Sequence, residues 1–189
     1  VTVPDDSNNI NEKVIWTIIL IFFQTVITKF YSNSLTLFSE NGYSAVSTSL
    51  IAKHANVSEG LIFRHFKDKF GLLNHLINDW YDKFESHIST IRSIEKPEQR
   101  IQAVMELPFR IDELEFPYWR LVFSIRWQHN ELISKYMLTL RDMLELDLNE
   151  LKYTDVNSEA ELIIAYFDGF VSTVLLRNNE SLKINLLQT

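Results

Sequence analysis

The chain has 189 residues, 18 basic and 25 acidic, for a formal net charge of −7, and 46% of its residues are apolar. A chain this long buries roughly 70% of its surface on folding and needs no staples, and the absence of cysteine excludes a disulfide framework, thiolate zinc, iron–sulfur ligation and a cysteine nucleophile. Four glycines and four prolines are too few for a turn-rich β fold, and the acidic balance argues at first against nucleic acid, whose phosphates call for Lys and Arg.

Residues 1–26 read as an N-terminal extension, polar at first and then an apolar helix. Fifteen uncharged residues separate Lys13 from Lys29, and Ile18 to Phe23 is an unbroken apolar run. A spanning helix needs about 20 apolar residues. A signal peptide would show a basic start and a small-residue cleavage site. Neither pattern is met, so a membrane role is not expected, and a cytoplasmic protein fits the lack of cysteine. Asn9 and Glu12 have capping-box spacing. Trp16, Leu20, Phe23, Ile27, Phe30, Ser34 and Phe38 step by three or four, a helical stripe. Ile15, Ile18, Ile19 and Phe22 make the opposite face apolar too, so this helix is expected to pack on more than one side, against this chain or a partner.

The helix stops at Asn41-Gly42, and two short helices follow at about 48–55 and 59–66. Lys69 to about Ile94 is long and amphipathic, with Leu72, Leu73, Leu76, Ile77, Trp80, Phe84, Ile88 and Ile91 inward. Pro97 opens a helix that Ile101, Val104 and Met105 carry to Pro108, and Pro117 opens another. Glu131 to about Tyr153 follows, and Ser158 caps a last helix to about Arg177. No segment alternates as a strand does, so the fold class is all-α.

Residues 47–66 carry the chemistry. Ser47 is a good N-cap, with Leu50, Ile51 and Ala55 on one apolar face and Ala52 small enough for a close crossing. Asn56 tolerates the left-handed stop, Val57 plugs the corner, and Ser58 is placed to cap the next helix, which Leu61, Ile62 and Phe66 hold down. Two short helices about a tight turn make a helix-turn-helix, whose second helix enters the major groove.

The window from about residue 30 to 76 resembles the TetR family of transcriptional regulators. The match rests on Leu35 to Phe38, Gly42-Tyr43, Ile51-Ala52, Ala55 to Ser58, Gly60, Phe63, His65-Phe66, Lys67, Lys69 and Leu72-Leu73. The resemblance implies a DNA-binding domain at 27–75 and a helical ligand-binding and dimerisation domain at 76–189. It implies a homodimer that binds a palindromic site on double-stranded DNA, acts as a repressor, and is released by a small, largely apolar effector. Binding of the effector would shift the long fourth helix. Ser47 and Ser49 would face phosphate. Ser58, Glu59, Gly60, Leu61, Phe63 and Arg64 would lie near base edges or backbone, and Lys67 and Lys69 would touch phosphate.

Three positions depart from the family pattern. Phe63 stands where a tyrosine usually donates to phosphate. Leu61 replaces a residue often Thr and can touch only a thymine methyl or pack. Glu59 can accept from cytosine N4 or repel phosphate. Arg64 is then the one strong hydrogen-bonding reader, and a basic arm ahead of the first helix is missing. These departures also fit a second reading, a TetR-like interaction module with weakened DNA binding.

Effector-pocket candidates are Met105, Phe109, Trp119, Phe123, Trp127, Tyr166 and Phe167, each of which serves equally as plain core. Arg120 and Arg126 can meet an effector carboxylate or pair with acids such as Glu115 or Glu131. Asp168 is read as a satisfied polar group rather than a ligand contact. The last helix is apolar nearly all round and so is expected to be buried on several sides. Its small residues Ala165, Gly169 and Thr173 recur every four positions, a ridge suited to the dimer contact. The five histidines show no metal spacing beyond His75 with Asp79, and no P-loop, dinucleotide fingerprint or nucleophile elbow is present. No metal, cofactor or catalytic residue is expected. The charge also divides: residues 29–75 carry 5 basic and 3 acidic groups, while 76–189 carry 12 and 19. The acidity lies away from the groove, and it no longer excludes DNA.

Overall fold

The computed structural model describes Ser7 to Arg177, with side chains from Lys13 onward except those of Ile19, Phe22, Phe23, Leu61, Ile62, Leu176 and Arg177. The expected Asn9–Glu12 capping box therefore lies outside the described side chains. The described residues are mostly helical and contain no strand. The helices are α1 (Ser7–Asn41), α2 (Thr48–Ala55), α3 (Glu59–Phe66), α4 (Lys69–Arg92), α5 (Pro97–Arg110), α6 (Phe116–Ile125), α7 (Asn130–Glu150) and α8 (Val156–Arg177). A 3₁₀ turn at Glu113–Glu115 leads into α6. All eight residues expected inward on α4 are buried.

Behind α4 the core is aromatic. The Trp80 and Trp119 rings meet edge to face at 5.2 Å, and Phe84 meets Tyr136 at 4.6 Å. Phe167 packs on Trp119 from α8. Such pairs add about 0.5–1.5 kcal/mol each beyond area burial. An ion pair ties α5 to α7: Arg100 Nε donates to the buried Asp147 at 2.7 Å, and its Nη1 donates to both the Ile94 and Glu95 carbonyls. Tyr31 ties α1 to α4, donating to Asp79 at 2.6 Å.

Three local expectations are corrected, and the packing of α1 divides along its length. The apolar start of α1 is not packed: Val14, Ile15, Trp16, Ile18, Leu20 and Ile21 are 50–65% exposed, whereas Phe30, Ser34 and Phe38 further along the stripe are buried. A periodic stripe shows that a face can be buried, and among the described residues nothing covers the first turns. Among the described residues, no helix is long and apolar enough to cross a membrane. Helix α5 runs through Pro108 to Arg110, because only a residual turn follows the missing N–H. Ser158 lies inside α8, and the capping side chain is Asp155, which accepts from the Ser158 N–H at 3.2 Å. Helix α8 is not buried all round, since Leu162 is 65% exposed.

Candidate nucleic-acid interface and ligand cavity

The sequence 47–71 folds by local rules. Ser47 Oγ accepts from the Leu50 N–H at 3.2 Å and opens α2, and the Ser47 and Ser49 hydroxyls lie 2.9 Å apart on the exposed surface. Asn56 is left-handed (φ 56°, ψ 50°), and the Val57 N–H returns to the Ala52 carbonyl at 3.0 Å. Ser58 occupies the N-cap position of α3 with extended backbone, but its side chain makes no capping bond. The first N–H groups of α3 thus have no side-chain cap, which suits an anion there. Glu59 is engaged, accepting from Thr48 Oγ1 and pinning the start of α3 to α2.

Gly60, Phe63 and Arg64 are exposed, and a side chain at Gly60 would meet open space. Leu61's side chain lies outside the described residues. Lys67 is exposed and adopts φ 66°, a conformation that L residues seldom take. The sequence reading missed what fixes α3 against α4. Asp68 accepts from the Gly71 N–H at 2.7 Å, and a Cβ on Gly71 would overlap the Phe66 carbonyl oxygen. Lys69 is half-buried with its ammonium 4.2 Å over the Tyr43 ring, and that burial lowers its pKa from the usual lysine value.

A second feature is a cavity of about 430 Å³ between α6, α7 and α8. Helix α6 contributes Val122 and Phe123, α7 contributes Ile133, Tyr136 and Met137, and α8 contributes Asp168. Asp168 accepts from the Tyr136 hydroxyl at 3.1 Å and from Arg126 at 3.4 Å. Burial raises the Asp168 pKa above the ordinary carboxylate value, and the Tyr136 bond and Arg126 charge oppose it. Arg126 thus pairs with neither Glu115 nor Glu131. Arg120 reaches the Leu175 carbonyl at 3.5 Å. Phe123, Arg126 and Trp127 also border a second recess of about 360 Å³ that extends to Ser39 of α1.

Of the seven pocket candidates, Phe123 and Trp127 line the larger cavity. Trp119 and Phe167 are fully buried in the ring cluster, and Phe109 and Tyr166 pack on Phe170 at 5.1 and 4.3 Å. Met105 is half-buried on α5, away from the cavity lining. The Asp168–Tyr136–Arg126 set joins residues up to 42 apart in sequence. No local signal could have found it.

The turn between α6 and α7 connects the two features. Arg126 borders the cavity, and Trp127, 84% exposed, forms part of its rim. Gln128 accepts from the Ser44 hydroxyl at 3.3 Å, and the His129 ring meets Tyr43 at 5.3 Å and Phe70 at 5.5 Å. Tyr43 is the ring beneath Lys69. Elsewhere, Ala165 and Gly169 are exposed along α8, Thr173 is half-buried, and Gly169 faces open space. Among the described residues, no group of three or more His, Asp or Glu side chains could hold a metal ion.

Residues 31–76 match the family described as bacterial regulatory proteins, tetR family. The chain is 26% identical over 129 residues to the probable HTH-type transcriptional regulator YttP of Bacillus subtilis, covering 65% of this chain and 62% of that protein. A shorter match, 35% over 60 residues, covers 32% of this chain and 21% of the uncharacterized HTH-type transcriptional regulator YuxN of the same organism. The chain thus spans less than two thirds of the length of these two relatives. It is 25% identical over 147 residues to the HTH-type transcriptional regulator BetI of Yersinia pestis, covering 74% of each. Among solved structures, the fatty acid degradation regulator FadR from Bacillus halodurans superposes with a TM-score of 0.69 at 18% identity, covering 86% of this chain and 91% of that one. FadR from Bacillus subtilis, solved in complex with stearoyl-CoA, gives 0.65 at 20% identity, covering 85% and 92%. Residues 31–76 thus carry the helix-turn-helix of the tetR family of bacterial regulatory proteins, within an all-α fold that matches solved regulators and beside a sequence similar to HTH-type transcriptional regulators.

Proposed function

We propose that the protein is a ligand-responsive repressor, acting in the cytoplasm as a homodimer on a palindromic operator, in which residues 27–75 bind DNA and 76–189 bind ligand and dimerise. The observation that carries this reading is the α6–α7 turn, whose first two residues line a cavity and whose next two touch Ser44, Tyr43 and Phe70 beside the helix-turn-helix. A ligand that repositions Arg126 and Trp127 acts through Gln128 and His129 on the elements that carry α3.

On the DNA side, the exposed Ser47 and Ser49, together with Lys67, take phosphate around the groove. Lys69 is held over Tyr43 and takes phosphate from there. Ser58 and Glu59 flank the uncapped start of α3, and Glu59 acts through Thr48 rather than as a free acid. Gly60 admits the backbone closely, Leu61 and Phe63 offer apolar contact, and Arg64 reads a guanine. The dimer forms through α7 and α8, where Ala165, Gly169 and Thr173 let a partner helix approach and Leu162 supplies apolar area. The complex of FadR with stearoyl-CoA shows that a protein of this fold takes a ligand with a long apolar chain, which supports an effector with an apolar body.

Selection from random duplexes with the purified chain tests this reading. The expected motif is two-fold symmetric, with half-sites about one helical turn apart. Binding should weaken steeply with salt. An enriched motif without symmetry would refute the dimer on a palindrome. Absence of salt-sensitive binding to any duplex would refute the DNA reading and favour the interaction module.

A further inference from the structure

We infer that the cavity between α6, α7 and α8 takes an apolar organic cation, an amine or quaternary ammonium, which displaces Arg126 from Asp168. This inference rests on the reading of that cavity as the effector site.

The cavity already holds a cation, supplied by its own wall. The Arg126 guanidinium carbon lies 4.9 Å from the Phe123 ring centre and 5.2 Å from that of Trp127, and one of its nitrogens is 3.4 Å from Asp168. Two aromatic faces and a carboxylate are the recognition set for an organic cation. Arg126 thus sits where such a ligand would sit.

Its hold is loose. A charge-assisted N–H to carboxylate bond is usually about 2.7–2.9 Å, and the Arg126 side chain is 32% exposed at 3.4 Å from its partner. It springs from a turn and can return to water, where its hydration is restored. Asp168 has no such freedom. It is fixed on α8, and the Tyr136 hydroxyl that donates to it belongs to a ring buried against Trp80 and Phe84. A carboxylate held in place and partly desolvated favours a cation that brings its own apolar body. The walls at Val122, Ile133 and Met137 suit that body, and the volume lies in the range of small-molecule sites, roughly 300–1,000 Å³.

An anionic ligand fits less well. Its charge would enter beside Asp168, and Arg126 would have to leave one carboxylate to serve another. Arg120 lies on the second recess, beyond Phe123. Displacement of Arg126 has two further consequences. The two recesses share Phe123, Arg126 and Trp127 as a wall, so they merge when Arg126 leaves. The turn that carries Gln128 and His129 also loses its anchor to α8.

The test is calorimetric titration of the full chain with three probes of one length: dodecyltrimethylammonium, dodecanoate and dodecanol, each below its micelle concentration. The ammonium should bind best. Arg126→Ala removes the internal competitor and should tighten ammonium binding by about threefold or more. Asp168→Asn should weaken it by about tenfold or more. Tighter binding of dodecanoate, lost in Arg126→Ala, would overturn the inference and leave the effector site standing. Equal binding of all three would overturn it in the same way. If none of the three binds, the effector reading of the cavity fails, and the inference with it.

Discussion

The helix-turn-helix face and the cavity, the two proposed recognition surfaces, are built in opposite ways. On the first, the side chains that meet a partner are separate from those that hold the fold: Phe63 and Arg64 point out while Ile51, Ala52 and Ala55 are buried. On the second, the two sets merge, because Tyr136 is at once cavity wall, hydrogen-bond donor to Asp168 and part of the ring cluster. A surface built on the first plan can change its target without changing the stability. One built on the second cannot.

The largest expected effect breaks the second surface. Trp119→Ala opens a hole among Trp80, Phe84 and Phe167 behind the cavity and should cost about 3–5 kcal/mol in chemical denaturation. Phe63→Ala, at a residue 53% exposed, should stay within about 0.5 kcal/mol. A comparable loss in both would erase the contrast. Next come two glycines in and beside the helix-turn-helix. Gly71→Ala drives a Cβ into the Phe66 carbonyl and should cost about 1–3 kcal/mol, with α3 displaced and DNA binding lost. Gly60→Ala, with open space around it, should leave the fold as stable or up to about 1 kcal/mol more so. Its loss should appear only in duplex affinity.

Smaller effects separate readers from holders. Arg64→Ala should cost about 1–3 kcal/mol on the selected duplex and little on random DNA. Lys69→Ala should weaken both alike and reduce the salt slope by about 1. Equal losses on specific and random DNA for Arg64→Ala would remove its role as a reader. The smallest effect is that of pH. The folded Asp168 pKa lies above its ordinary 3.8, so the folded state holds its proton longer than the unfolded state. The contribution of this group to stability is therefore greatest in acid and falls as pH rises from about 3.8 through the raised folded value. Asp168→Asn should flatten that decline, and an unchanged pH profile would show that burial is not what shifts the group.

The same contrast explains what the sequence revealed. Both short helices of the motif, the Ser47 cap, the left-handed Asn56 and the whole inward face of α4 could be read from spacing, because each depends on neighbours within a turn or two. Ser58 and Ser158 show the limit. Both have capping chemistry, but Ser58 makes no capping bond and Ser158 yields to Asp155 three residues earlier. The apolar start of α1 shows another, since its periodicity is the same whether a partner covers it or not. The cavity was the least legible part. The aromatic residues near 105–127 were visible as a group, but which of them reach empty space depends on how α6, α7 and α8 cross, and Arg126, Tyr136 and Asp168 meet only after the fold is complete.

Coupling between the cavity and the DNA face is the central claim, and a double-mutant cycle tests it without any ligand. Met137→Trp fills the cavity from α7, and His129→Ala cuts the turn's contact with Tyr43 and Phe70. Affinity for the selected duplex is measured for the native chain, each single variant and the pair. The expected result is that Met137→Trp alone weakens binding, by about tenfold, and that the loss largely disappears in the His129→Ala background, a coupling of about 1 kcal/mol or more. Losses that simply add would contradict it.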